Sequence, residues 1–208
     1  MQIMTAIMEK EKNNDVAMSA TESIKSKFMV NHVASGLPRW LIEAAFVCYL
    51  LQAVSNWGPL LHWMETHASF ALAAIQTFGA LVMYFGLMRG MKPLYRPMTI
   101  AWWIVIVLNI AGFFTEMIPA VRYTIGLPVA VSLMLVYLPL GISIAICYRG
   151  RLRWVGVWMA LYIFISNIFP VVSYLLVGAA SGLSNLPLEI PTMAVIVLYG
   201  WSQRRVLL

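Results

Sequence analysis

The sequence predicts an all-α integral membrane protein, a bundle of six transmembrane helices. Of its 208 residues, 62% are hydrophobic and 11% are charged, whereas soluble domains carry about 25% charged residues. The apolar residues fall in blocks of about 20, which is long enough for a helix to cross roughly 30 Å of hydrocarbon. The blocks are continuous and do not alternate with polar residues, so we exclude lipid-exposed strands.

Six apolar segments follow a polar N-terminal region. They run approximately over residues 40–57, 68–88, 98–117, 123–148, 154–178 and 184–201. Trp40, Trp57, Trp154 and Trp201 stand near segment ends, as is typical of anchors at the membrane–water interface. We therefore divide the chain into a polar cytoplasmic tail, residues 1–39, and a six-span transmembrane domain, residues 40–208. For the tail, a short interfacial helix and an unstructured segment are both compatible with the sequence.

The basic residues indicate how the bundle is oriented. The N-terminal tail, the 89–97 and 149–153 loops and the C-terminal tail together hold thirteen of the fourteen lysines and arginines, which leaves Arg122 for the other side. The positive-inside rule then predicts a multi-pass protein of the cell (inner) membrane with both termini in the cytoplasm. The sixth span is the weakest, because residues 190–201 alone are too short to cross, and a re-entrant segment is the alternative.

Two patterns bear on helix packing. Arg89-Gly90 recurs as Arg149-Gly150, 60 residues later. Three tandem two-helix hairpins are one interpretation of this faint repeat, and coincidence between hairpins of similar composition is the other. Gly141 and Ala145, four residues apart, predict a close approach of two helices.

Polar residues inside the apolar segments are the candidates for functional residues, because polar groups are costly in hydrocarbon. Asn109 and Glu116 share one face of the third span, and Asn167 and Pro170 lie in the fifth. They form a candidate solute pathway in which both asparagines hydrogen-bond the solute and Glu116 attracts cations at the outer mouth. Pro170 frees a backbone carbonyl. The alternative is an interhelical hydrogen bond at Asn109 and a plain packing kink at Pro170.

Glu43 is a carboxylate inside the cytoplasmic half of the first span. A proton or cation site facing the bundle is one interpretation, and an ion pair with Arg39 near the interface is the other. His62, Glu65 and His67 match no familiar metal-site spacing, so we expect no metal and no cofactor.

The function predicted from these features is that of a small transporter or channel-like protein for an ion or small solute. Catalytic and nucleotide motifs are absent from the sequence, so we expect no enzyme. The net charge of +6 is spread over short segments, which excludes a nucleic-acid partner and indicates the lipid bilayer. A non-enzymatic accessory subunit or scaffold, bound to other membrane proteins or to copies of itself, is the alternative. A membrane-embedded lipid-modifying enzyme is a further one.

Overall fold

The protein is described by a computed structural model for residues 29–57, 60, 63, 64, 67–91, 96–165 and 186–208. At 96, 97, 116, 119–124, 126, 127, 130 and 186–188 the description covers the backbone alone. Six α-helices account for most of these residues. They are α1 (Arg39–Ser55), α2 (Ser69–Met91), α3 (Arg96–Met117), α4 (Pro119–Cys147), α5 (Arg151–Ile163) and α6 (Leu186–Leu207).

The six helices form a closed ring. Each helix packs against its neighbour in sequence, and α6 returns to pack against α1. The order around the ring is therefore the order along the chain. Short connections between α2 and α3, α3 and α4, and α4 and α5 favour packing of these helices side by side. The predicted all-α class with six helices is confirmed.

Two helices are clearly long and apolar enough to cross a membrane, α2 with 23 residues and residues Met98–Thr115 of α3. The apolar helix segment Val131–Cys147 is shorter. The 17 residues of α1 extend about 26 Å at 1.5 Å per residue, and α6 carries Glu189 besides two arginines in its last turn. Length and composition therefore give weak support for membrane association and leave the six-span topology as a prediction.

The outer faces of the ring carry large apolar side chains. Ile146 is 77% exposed, Leu135 69% and Ile100 61%, and α1 exposes Val47 and Leu51. Soluble monomers rarely present contiguous apolar surface on this scale, because water disfavours it. Lipid tails accept such surface freely.

One end of the ring, here called the basic end, is where α1 and α5 begin and where α2, α4 and α6 finish. An N-terminal strap, residues 29–38, lies across this end without regular secondary structure. The Val30 amide donates to the Arg149 carbonyl at 3.1 Å, and the Val33 amide to the Val206 carbonyl at 2.8 Å. Because Val33 is only 2% exposed, the strap closes the basic end of the ring.

Small residues bring α4 and α5 into backbone contact, as the spacing of Gly141 and Ala145 predicts for α4. A Cβ atom placed on Gly156 of α5 would lie 2.5 Å from the Ala145 nitrogen and from the Gly141 oxygen. No side chain fits at that distance, so the α4–α5 interface requires glycine at position 156.

We expect Gly156→Ala to lower the free energy of unfolding by about 1–3 kcal/mol, as overpacking in a rigid interior does. Gly112→Ala is the matched control, because a Cβ there meets nothing within 4 Å. Denaturant or thermal unfolding of the purified, detergent-solubilised protein measures both. Equal stability of the two variants would contradict the close α4–α5 contact.

Candidate functional site

An aromatic cluster occupies the centre of the helix ring, and each of the six helices contributes one aromatic side chain to it. Neighbouring rings in it have centroids 5.5 to 5.9 Å apart. Five of the six rings are phenols, so their hydroxyl groups place polar atoms along the axis of an otherwise apolar bundle. The members are Tyr49, Tyr84, Trp102, Tyr137, Tyr162 and Tyr199, from α1 to α6 in order.

A cavity of about 150 Å³ lies against this cluster. Four of the tyrosines line it, together with Gln52 of α1, Gln76 and Thr77 of α2 and Asn109 of α3. No charged side chain belongs to the wall in the part of the chain that the structure describes. The cavity therefore offers amide and hydroxyl groups, which both donate and accept hydrogen bonds.

The cavity has a buried floor and a more accessible mouth. Tyr49, Tyr84 and Tyr137 are at most 5% exposed, whereas Gln52 and Gln76 are half-buried. Since α1 runs away from the basic end, Gln52 lies farther from that end than Tyr49 does. The described wall thus opens away from the basic end.

Asn109 is held in place on the cavity wall. Its Nδ2 donates to the Val105 carbonyl at 2.8 Å and to the Tyr137 hydroxyl at 2.9 Å. Both amide hydrogens are used, which fixes the side-chain rotamer. Within the described chain the Asn109 Oδ1 accepts no hydrogen bond, so it is available to a donor in the cavity.

Between the cavity floor and the basic end, several buried polar atoms make no well-aligned hydrogen bond among the described residues, although Tyr49 lies beside Tyr84 and Gln203, and Tyr199 lies beside Tyr84. These atoms are the Tyr49 and Tyr199 hydroxyls, Trp102 Nε1, Thr99 Oγ1 and both amide atoms of Gln203. Each such atom costs about 1–3 kcal/mol when it is left unpaired in an apolar interior.

Glu43 lies outside the cavity, in an ion pair between α1 and α6. Nε and Nη2 of Arg204 donate to its two carboxylate oxygens at 2.6 and 2.8 Å. Arg39 Nε stands 3.9 Å from the same carboxylate. The expected pairing with a basic residue therefore exists, and Arg204 is the main partner. The hydrogen bonds that Arg204 donates to Glu43 raise the pKa of Arg204, so this arginine stays charged.

The other residues of the predicted solute pathway are only partly placed. For Glu116 the backbone alone is described, and Asn167 and Pro170 lie outside the described residues. The structure therefore brings Asn109 to a cavity and does not test the joint pathway.

Sequence reasoning missed the two glutamines and the tyrosines. Gln52 lies nine residues after Glu43 and hence on the opposite helix face, at 100° per residue. That face of α1 is the one that lines the cavity. Amide side chains inside apolar segments, with a tyrosine at similar depth in nearly every span, were the available signal.

The structure shows no metal centre in the residues it describes, where no three His, Cys, Asp or Glu side chains come together. His67 stacks on Trp63, with ring centroids 5.4 Å apart. His62 and Glu65 lie outside the described residues.

We expect a double-mutant cycle on Glu43→Gln and Arg204→Gln to give a coupling free energy of up to about 1 kcal/mol, the range for partly exposed ion pairs. The same cycle on Glu43 and Arg39 should give almost none, because Arg39 is 81% exposed and 3.9 Å away. Unfolding of the solubilised protein measures both. Similar coupling in the two cycles would mean that Arg204 is not the main partner.

Comparison with known proteins adds no relationship to this geometry. No protein-family model matches the chain. No curated protein and no solved structure matches it significantly either. The function is therefore argued from the residues themselves.

Proposed function

We propose that the protein spans the cell (inner) membrane six times and carries or conducts a small uncharged polar solute. The observation that supports this most is the cavity around Asn109, which is polar although it lies inside an apolar ring. The apolar outer faces and the gathering of arginines at one end support a membrane setting with the basic end in the cytoplasm. The cavity mouth then faces outward.

The chemistry of the described wall favours a neutral solute over an ion. Amides, hydroxyls and aromatic faces bind molecules that carry several hydroxyl or amide groups. An ion in a low-dielectric interior needs opposite charge or a ring of carbonyl groups to replace its hydration shell. A cavity of about 150 Å³ holds a molecule about the size of benzene, which is also the size range of glycerol.

A binding mode follows from the available atoms. A solute hydroxyl donates to the Asn109 Oδ1 while the Asn109 Nδ2 remains bonded to Tyr137. Gln52 and Gln76 supply further donors and acceptors nearer the mouth. Because the Tyr137 bond fixes the orientation of the amide, removing either partner weakens the same contact.

Between the cavity floor and the basic end, the proposed solute path passes polar atoms in a packed interior. The Tyr49 and Tyr199 hydroxyls and the Gln203 amide make no well-aligned hydrogen bond in the described chain and lie beside one another and Tyr84, so a passing solute could exchange hydrogen bonds with them. The strap closes the basic end beyond them. Transfer across the membrane then requires the tyrosine rings and the strap to move, as in alternating access.

The two alternatives receive less support. A scaffold with a dry interior predicts Asn109 facing Asn167 or a partner helix, whereas Asn109 bonds to Tyr137 beside a cavity. A lipid-modifying enzyme needs a buried acid/base pair, and Glu43 is committed to Arg204.

We expect Asn109→Leu to reduce solute flux about tenfold, because it removes a hydrogen bond worth about 0.5–1.5 kcal/mol and unpairs Tyr137. Flux is measured by stopped-flow light scattering of proteoliposomes in a glycerol gradient. Tyr137→Phe should reduce it less, since Asn109 remains. Ile110→Leu is the control on the same helix, at a side chain that is 40% exposed on the outer face.

Wild-type liposomes no more permeable than empty ones to glycerol, urea and erythritol would overturn the transport proposal. Full flux in Asn109→Leu would instead remove Asn109 from the path.

We also expect both termini to lie in the cytoplasm. Green fluorescent protein fused after Leu208 should fluoresce, and alkaline phosphatase fused there should be inactive, because the C-terminal arginines hold that end inside. The same two reporter proteins fused before Met1 should give the same results as those fused after Leu208. Phosphatase activity at the C-terminus would favour a re-entrant α6.

A further inference from the structure

A surface groove of about 280 Å³ lies between α5 and α6 at the basic end. Residues of α5 three and seven positions apart form one wall, and residues of α6 at the same spacing form the other. The lining residues are Arg151, Trp154, Trp158, Leu198, Trp201, Ser202 and Arg205. The groove is separate from the central cavity, and nothing in the solute proposal uses it.

Along both walls of the groove, charged side chains lie at the basic end and apolar side chains lie deeper in the helices. Arg151 and Arg205 stand at the basic end, whereas Trp158 and Leu198 lie seven residues deeper in their helices, about 10 Å along the axis. Trp154 is 55% exposed and Trp201 40%. Cations, then tryptophans, then apolar surface match the order of phosphate, ester region and acyl chain in a lipid.

The two arginines are positioned to bind an anion. The Arg205 guanidinium lies 4.5 Å above the Trp201 ring, and Arg151 Nη1 donates to the Arg205 carbonyl at 3.4 Å. The described ion pairs involve Arg39, Arg204 and Glu43 only. Both groove arginines thus keep guanidinium N–H groups for a phosphate, which they bind with fixed planar geometry.

We propose that this groove is a binding site for one anionic phospholipid, with its phosphate on Arg151 and Arg205 and an acyl chain against the tryptophans. Basic pockets between membrane helices on the cytoplasmic side bind anionic headgroups by the same chemistry. The N-terminal tail is a poorer occupant by charge complementarity, because residues 1–28 carry four lysines and four acidic residues.

The test uses full-length protein in detergent micelles and phospholipids brominated on the acyl chain, which quench nearby tryptophans. Phosphatidylglycerol is compared with phosphatidylcholine. We expect wild type to prefer phosphatidylglycerol about tenfold, since each basic residue near an anionic headgroup contributes about a fivefold preference at most. Arg151→Gln with Arg205→Gln should abolish the preference, and Arg151→Lys with Arg205→Lys should keep most of it.

Arg149→Gln with Arg153→Gln is the matched control, because it removes the same charge from the same end outside the groove. Its preference should remain near that of wild type. An equal loss of lipid preference in this control would overturn the proposed site and indicate that general surface charge attracts the lipid. Equal quenching by the two lipids in wild type would also overturn the proposal. Changing Glu9, Glu11, Asp15 and Glu22 to amides should leave the preference unchanged, and a marked increase would identify the tail as the occupant instead.

Discussion

The return of α6 to α1 is the contact on which the rest of the structure depends. It turns a row of antiparallel helices into a ring with an enclosed axis. Gly200 allows it, because a Cβ there would lie 2.6 Å from Cγ of Tyr49. Nearer the basic end, a bidentate ion pair between Glu43 and Arg204 joins the same two helices. Without this closure the tyrosines would lie on an open face of the helix row and would not surround an enclosed axis.

Closure creates an interior whose two halves differ. Towards the basic end, side chains such as Met91, Ile144 and Leu152 are fully buried, and the strap covers them. Away from it, amide and hydroxyl side chains together with Gly112 line the cavity. A bundle selected for stability alone would fill this space with apolar side chains. A polar cavity above a floor of hydroxyl groups is therefore the feature that most calls for a function.

The arginines of the basic end have distinct roles. Arg204 is consumed in the ion pair with Glu43. Arg89 packs beside Gly36 of the strap and over the Phe85 ring, with 5.8 Å between the guanidinium carbon and the ring centroid. Arg151 and Arg205 are exposed and line the groove between α5 and α6, and the Arg205 guanidinium lies over the Trp201 ring. A count of positive charge predicts orientation, but only neighbours from other helices decide which arginines remain available to bind an anion.

The sequence by itself determined the helical class, the number of helices and the approximate bounds of all of them except α5, because apolar block length and flanking charge are local properties. The end of the predicted fifth segment, 154–178, lies outside the described residues. It also indicated Asn109, and the close approach at Gly141 and Ala145. It did not identify Gln52, Gln76 or the tyrosine cluster as neighbours. For Glu43 it left a proton or cation site and a pairing with Arg39 as alternatives, and it did not name Arg204. Those relationships join residues up to 161 positions apart. Only tertiary structure decided them, because the rotation of each helix about its axis is set by packing against its neighbours.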